Sequence, residues 1–232
     1  MRYTESIENS IKAYPELKII DAQAYYSNNF NDIPETTFYK TISRMTEKGV
    51  LQRISKGIYC KPKQGRFGVT LANEKDILDY YLGENQGVII GYRLFNKYGI
   101  TTQIAKNVEI YSRVINQNHK TIKNVKIHKL NLQLDHKTIK MIELLEILQE
   151  YMNIEDLNRN NLKGYLEAVV FLNYDDKVIE KILNSMNYKK STIASLRNVL
   201  DFYEITHSLN KYLKGTSKYK VINMEKLYDT TS

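Results

Sequence analysis

Residues 34–63 read PETTFYKTISRMTEKGVLQRISKGIYCKPK, and this stretch decides the fold of the N-terminal third. Pro34 stands where a helix takes its first-turn proline, and Glu35 follows near the positive end of the helix dipole. Gly49 suits the position just past a helix C-terminus, with Lys48 in the last turn. Phe38, Ile42 and Met45 make one apolar face. At about 100° per residue the opposite face holds Thr36, Lys40, Ser43 and Glu47, flanked by Thr37, Tyr39 and Arg44. Residues 50–54 and 58–61 are β-rich runs joined by Ser55-Lys56-Gly57, a hairpin with Gly where a positive φ is needed. Upstream, Ile7, Ile11 and Tyr14 predict an amphipathic helix over residues 4–13, ending before Pro15. Asp21 can cap a second short helix running to Tyr26, stopped by the Asn-rich residues 27–31. Three helices followed by a basic hairpin is the order of a winged helix-turn-helix.

Charge is concentrated on the same stretch. The 232-residue chain has a formal net charge of +8. Residues 1–39 are acidic overall, at −3. Residues 40–66 carry Lys40, Arg44, Lys48, Arg53, Lys56, Lys61, Lys63 and Arg66 against Glu47 alone, a balance of +7. A recognition helix in a major groove reaches base edges with its N-terminal exposed residues, while cations and hydroxyls grip phosphates. Thr36, Thr37, Tyr39, Lys40, Ser43 and Arg44 are the candidates on the helix; Arg53, Ser55, Lys56, Lys61 and Lys63 are those on the wing. A second basic stretch, residues 104–140, stands at +6. It reads equally well as a solvated face, an extension of the DNA-facing surface or a contact for an acidic or RNA partner.

The string Thr41-Ile42-Ser43-Arg44-Met45-x-x-Lys48-Gly49-x-x-x-Arg53-Ile54-Ser55-Lys56-Gly57-Ile58-Tyr59-x-Lys61-Pro62 resembles the winged-helix start of the AbiE-type antitoxins of bacterial type IV toxin–antitoxin systems. Arg66-Phe67-Gly68 and Gly91-Tyr92-x-Leu94-x-Asn96-x-x-Gly99-Ile100-Thr101-Thr102-Gln103 resemble the segments that follow in that family. The resemblance covers roughly residues 1–150. It implies a repressor that binds double-stranded DNA at the promoter of its own operon, where repeats are expected. It also implies an antitoxin that counters a nucleotidyltransferase-like toxin without a stable complex.

The rest of the chain predicts an α+β, mainly α protein. Asn73 starts a helix that runs to Gly83, residues 87–90 form a buried strand, and a short helix from Tyr92 to Tyr98 is closed by Gly99. Residues 108–111 and 125–128 alternate as strands. Residues 140–151, 161–173, 176–186 and 191–212 have helical spacing. The expected organisation is a winged helix-turn-helix at 1–68, a mixed α/β domain at 73–135, a helical C-terminal region at 138–214 packed on it, and a fraying tail at 215–232.

Several function classes find no support. The GxG spacing of a phosphate or dinucleotide loop is absent. His119, His128 and His136 lack Cys or carboxylates at metal-ligand spacing. Asp175-Asp176 reads as a helix N-cap with a helpful first-turn charge. Cys60, the one cysteine, fits a reducing cytosol and a structural role. Of 19 Tyr, those such as Tyr80, Tyr81 and Tyr165 sit at core spacing rather than as a base-stacking platform. MRYTESIENSIK has no apolar core for a secretory signal, and no run approaches the roughly 20 apolar residues of a membrane span. The expectation is therefore a cytoplasmic, non-enzymatic DNA-binding repressor with no cofactor, metal or membrane partner. The alternatives are a protein-interaction module that binds an acidic partner, an RNA-directed enzyme subunit, or a transcriptional regulator with no toxin.

Overall fold

A computed structural model of the chain describes residues 3–66, 68–215 and 218–229. Phe67 of the family-like string, and residues 216–217 and 230–232 of the expected tail, lie outside the described residues. The fold is α+β and mainly helical, with about 52% helix and 15% strand. No helix among the described residues is long and apolar enough to cross a membrane. The chain divides into two compact units, residues 1–83 with 121–125, and residues 84–120 with 126–232.

The first unit runs α1 (Tyr3–Ala13), β1 (Ile19–Asp21), α2 (Ala22–Asn29), α3 (Glu35–Glu47), β2 (Gln52–Ser55), β3 (Ile58–Cys60), β4 (Lys63–Gly65), β5 (Gly68–Thr70) and α4 (Glu74–Leu82). Ile7 and Ile11 of α1 meet Phe38, Ile42 and Met45 of α3 in one core with Ile20, Phe30, Ile33 and Leu51. Asp21 caps α2, its carboxylate accepting from the Gln23 and Ala24 amides. Helix α2 continues to Asn29, past the expected stop at Tyr26, because the Phe30 amide still donates to the Tyr26 carbonyl.

β1 was not expected. It pairs antiparallel with β3, as does β2, giving the order β1-β3-β2. β4 and β5 form a separate two-stranded ribbon. The boundary expected between residues 68 and 73 falls instead after α4. Ile77 and Tyr81 of that helix are buried, and a capping box between Asn73 and Asp76 fixes its start. Residues 121–125 belong with this unit: the Lys123 ammonium donates to the Ala72 carbonyl at 2.8 Å, and the Asn124 amide donates to Glu74.

The second unit contains β6 (Gly87–Ile90), α5 (Gly91–Lys97), β7 (Val108–Ser112), β8 (His119–Ile122) and β9 (Val125–Lys129) apart from their residues within 121–125, α6 (His136–Glu150), α7 (Arg159–Asn173), α8 (Asp176–Ser185), α9 (Lys190–Phe202) and α10 (Met224–Tyr228). Sheet order is β6-β7-β9-β8. α6 is the central helix, with Met141, Ile142, Leu144, Leu145, Ile147 and Leu148 all buried in the unit's core.

Two expectations are corrected in this unit. The helix expected over 191–212 ends at Phe202, because Glu204 turns left-handed (φ 57) and the Ile205 amide closes back on the Leu200 carbonyl. The expected tail is partly packed: Ile222 and Met224 are buried, and Asn198 donates to the Ile222 carbonyl at 2.7 Å.

Candidate nucleic-acid interface

Helix α3 is held by its apolar side, so its other side is free to face solvent. Thr36, Lys40, Ser43 and Glu47 are exposed as the periodicity requires. Ser43 Oγ donates to Glu47 Oε1 at 3.2 Å. Thr37 is half-buried, and its carbonyl accepts from Thr41 Oγ1. Tyr39 is half-buried against Phe38 and Tyr26, and burial, with the carboxylates of Glu35 and Asp21 beside it, pushes its phenol up. Lys40 is the long cation in the middle of the exposed face.

Two of the expected contacts are committed elsewhere. Arg44 Nη2 donates to Glu8 Oε1 of α1 at 2.8 Å, because its place on the helix turns it toward α1 rather than into the exposed stripe. Lys61 Nζ donates to the Lys12 carbonyl at 2.6 Å, where it satisfies an acceptor in the last turn of α1. Both cations act within the unit.

The remaining wing residues stay outward. Arg53 is exposed and its Nε donates to the Ser55 carbonyl at 3.3 Å; Ser55 is half-buried at the end of β2. The β2–β3 turn is drawn inward by the Ala22 amide, which donates to the Gly57 carbonyl at 2.9 Å. Lys56 in that turn is exposed, as is Lys63 on β4. Among the described residues none forms an ion pair with Lys40, Lys56 or Lys63. Arg66, in the turn between β4 and β5, is equally exposed, and the sequence reading did not single it out as a contact. A signal was present: residues 48–73 contain no Asp or Glu, and Arg66 lies between Gly65 and Gly68.

The second unit offers other titratable groups. Glu143 of α6 is 1% exposed. It accepts from Lys97 Nζ at 2.6 Å, Tyr98 OH at 2.6 Å and Lys140 Nζ at 3.0 Å. Burial alone would push its carboxyl up, but those hydrogen bonds and the Lys97 charge outweigh it and hold the carboxyl below its ordinary value. Glu146, one turn on, accepts from Tyr188 OH at 2.9 Å and Tyr111 OH at 3.3 Å. Burial pushes its carboxyl up to about 6.

The family-like residues of this unit also hold structure together. Asn96 Nδ2 donates to the carbonyls of Thr101 and Gln103, and Thr101 Oγ1 to that of Glu155. Asp175 caps α8, accepting from the Lys177 and Val178 amides. Cys60 is fully buried, and burial pushes its thiol up. Among the described residues no three His, Cys, Asp or Glu side chains are grouped to hold a metal ion.

Comparison with known proteins adds a family but no activity. The profile of a family described as "Family of unknown function (DUF6088)" matches residues 6–190. A solved structure, RV2827C protein from Mycobacterium tuberculosis, is similar at 10% identity over 87% of this chain and 77% of that one, with a TM-score of 0.43. No curated protein matches.

Proposed function

For a chain that belongs to the DUF6088 family of unknown function, we propose the role of a sequence-specific DNA-binding repressor acting through a winged helix-turn-helix in residues 1–68. One observation carries the reading. The order α1-β1-α2-α3-β2-β3 with the sheet order β1-β3-β2 leaves α3 with an exposed face of Thr36, Lys40, Ser43 and, at its C-terminal end, Glu47. That face lies beside a stretch of chain with no carboxylate between Glu47 and Glu74. Such a face suits a major groove, with hydroxyls and a lysine toward base edges and phosphates. Lys56 and Lys63 then neutralise the neighbouring backbone, each phosphate adding about −0.9 to the log–log salt slope.

The biological reading follows from the AbiE-type resemblance. The repressor acts in the cytoplasm on its own operon, as the antitoxin of a nucleotidyltransferase-like toxin that it counters without forming a stable complex. The test is fluorescence anisotropy on the promoter of its own operon against a scrambled duplex, across a salt series. Selective binding that is weakened by Lys40→Ala and unchanged by Lys181→Ala, an exposed cation of α8, is the expected result. Equal losses from both variants, or no selectivity, would overturn the assigned face.

A second reading, a protein-interaction module, draws on the second unit. There Phe171 is 56% exposed and Leu172 79% exposed. A stable complex with a neighbouring gene product, in a protein without DNA affinity, would favour it.

A further inference from the structure

The outer face of α7 is not that of an ordinary solvated helix, which is polar and charged. From Gly164 onward its exposed positions are Gly164, Glu167, Ala168, Phe171 and Leu172, which recur at three- and four-residue spacing. Glu167 is the one charged side chain among them. Phe171 and Leu172 are both more than half exposed. A Cβ at Gly164 would meet nothing within 4 Å, so the face is open there as well. The apolar surface continues onto α9. The Phe171 ring stands edge-on to Tyr203 with centroids 5.3 Å apart, and Tyr203 stands at the same distance from Phe202. Phe202 is exposed and lines a cavity of about 510 Å³. Ile222 and Met224 give that cavity an apolar side, and Asp201 and Glu225 bring carboxylates to it.

Charge on this surface runs against the chain as a whole. The protein carries +8, yet no Lys or Arg occurs in residues 164–176 or 198–210. Asp201 is engaged by His207 at 2.9 Å and lies 3.8 Å from Arg197. Among the described residues Glu167, Glu204 and Glu225 form no ion pair. Burial and the Tyr228 hydroxyl push the Tyr203 phenol up, and the Glu167 charge adds to the shift, which sets that carboxylate beside the aromatic cluster. Of the bordering cations, Lys163 lies over the Tyr228 ring at 3.8 Å and Lys226 follows Glu225 on α10.

We propose that this face of the second unit is a docking site for an amphipathic helix of a partner protein, one whose apolar stripe is flanked by Lys or Arg. The stripe covers Phe171, Leu172 and Phe202, as apolar helix faces do on grooves of this kind. The flanking cations meet Glu167, Glu204 and Glu225. One long cationic side chain lays its stem along Ile222 and Met224 and keeps its charge at the carboxylate rim. A chain of +8 repels a basic partner at long range, so only a locally acidic face can seat one. The inference rests on the second unit alone and holds whether or not the first unit binds DNA.

The probe is a labelled synthetic peptide of Leu and Lys, about five helical turns long, ordered so that Leu forms one face. The full chain is titrated into it by fluorescence anisotropy. Two control peptides accompany it: the same composition in scrambled order, and a Leu/Glu peptide with the original order. The ordered Leu/Lys peptide should bind one per chain, on the order of tenfold tighter than the scrambled one, which has equal charge and no apolar face. Leu172→Asn and Glu167→Lys should each weaken it by about tenfold. Both side chains are exposed, so the urea midpoint should not move. Glu155→Lys makes the same charge change in the turn before α7, more than a Debye length along the helix from Phe171, and should leave binding unaltered.

No binding of the ordered peptide, binding that ignores its order, or binding that survives either variant at full strength overturns the inference. A Leu/Glu peptide that binds as tightly and is weakened equally by Leu172→Asn would make the face merely apolar and overturn it likewise. Self-association in sedimentation velocity, abolished by Leu172→Asn, would give the face to a second copy of this chain and overturn it too. Each of these results leaves the DNA-binding reading intact, since that reading is tested on the promoter duplex.

Discussion

Replacing Lys61 by Met removes an ammonium while keeping the aliphatic stem that packs beneath it. Sequence places this lysine among the wing cations, and structure places it on the Lys12 carbonyl at 2.6 Å. A hydrogen bond from a charged donor contributes about 1.5–3 kcal/mol when well shielded. Lys61 is only half-buried, so a loss of about 1 kcal/mol is the working figure, including its favourable charge at the α1 C-terminus. Lys56→Met is the matched control, since Lys56 is exposed with no ion pair among the described residues. Its stability should change by no more than about 0.5 kcal/mol, while the salt slope flattens by about 0.9, worth roughly eightfold in affinity near 0.1 M salt. Equilibrium urea unfolding and anisotropy on one duplex across salt separate the two effects. The expected pattern is a double dissociation, with Lys61→Met weakening the fold only and Lys56→Met weakening binding only. If Lys61→Met flattened the slope with stability unchanged, its ammonium would be serving phosphate and the capping argument would fail.

Three further outcomes follow from the contacts. Asn96→Ala leaves the carbonyls of Thr101 and Gln103 without their amide donor, so urea unfolding should show a loss of about 2 kcal/mol with DNA binding unaltered. The Glu8–Arg44 pair is 27% and 45% exposed; a double-mutant cycle should return a coupling of only about 0.2–1 kcal/mol, and a larger value would mean that the pair is shielded from water. Glu146, its carboxyl pushed by burial up to about 6 from an ordinary 4.5, binds its proton more tightly in the folded chain than in the unfolded one. The stability this contributes is present below about pH 4.5 and is lost as pH rises through 6. Relative to Glu146→Gln, the wild type should therefore lose about 2 kcal/mol between those limits, and parallel pH profiles would refute the assignment.

The contrast between two helix ends explains what could be read in advance. α3 stops with Gly49 left-handed (φ 72), the Val50 amide closing on the Met45 carbonyl. Glycine marks such a position in the sequence. α9 stops in the same way, the Ile205 amide on the Leu200 carbonyl, but its left-handed residue is Glu204. Glutamate carries no such mark, and the apolar spacing of Leu209 and Tyr212 carries the helical reading through the break. β1 escaped for another reason: three residues are too few to show a period, and β3, which they pair with, lies some forty residues away. The β4–β5 ribbon was silent because a strand exposed on both faces has no hydrophobic alternation. The α3 face was legible because one buried stripe fixes everything opposite it.

Charge shows where sequence reading stops and geometry takes over. Residues 40–66 and 104–140 stand at +7 and +6, with eight Lys or Arg in each. In the second stretch Lys123 donates to the Ala72 carbonyl, Lys126 pairs with Glu109 and Lys129 donates to the Asn116 carbonyl. Lys137 pairs with Asp175, and Lys140 with Glu143. Most of those ammonium groups are already held by acceptors that a polyanion would have to displace. Among the described residues, only Arg44 and Lys61 of the first stretch are committed beyond their own hairpin, and Lys40, Arg53, Lys56, Lys63 and Arg66 remain exposed. Counterion release depends on cations that meet phosphate, not on cations per residue. Two stretches of similar charge therefore differ in how many cations they leave exposed, and the proposed DNA contact draws on the exposed ones.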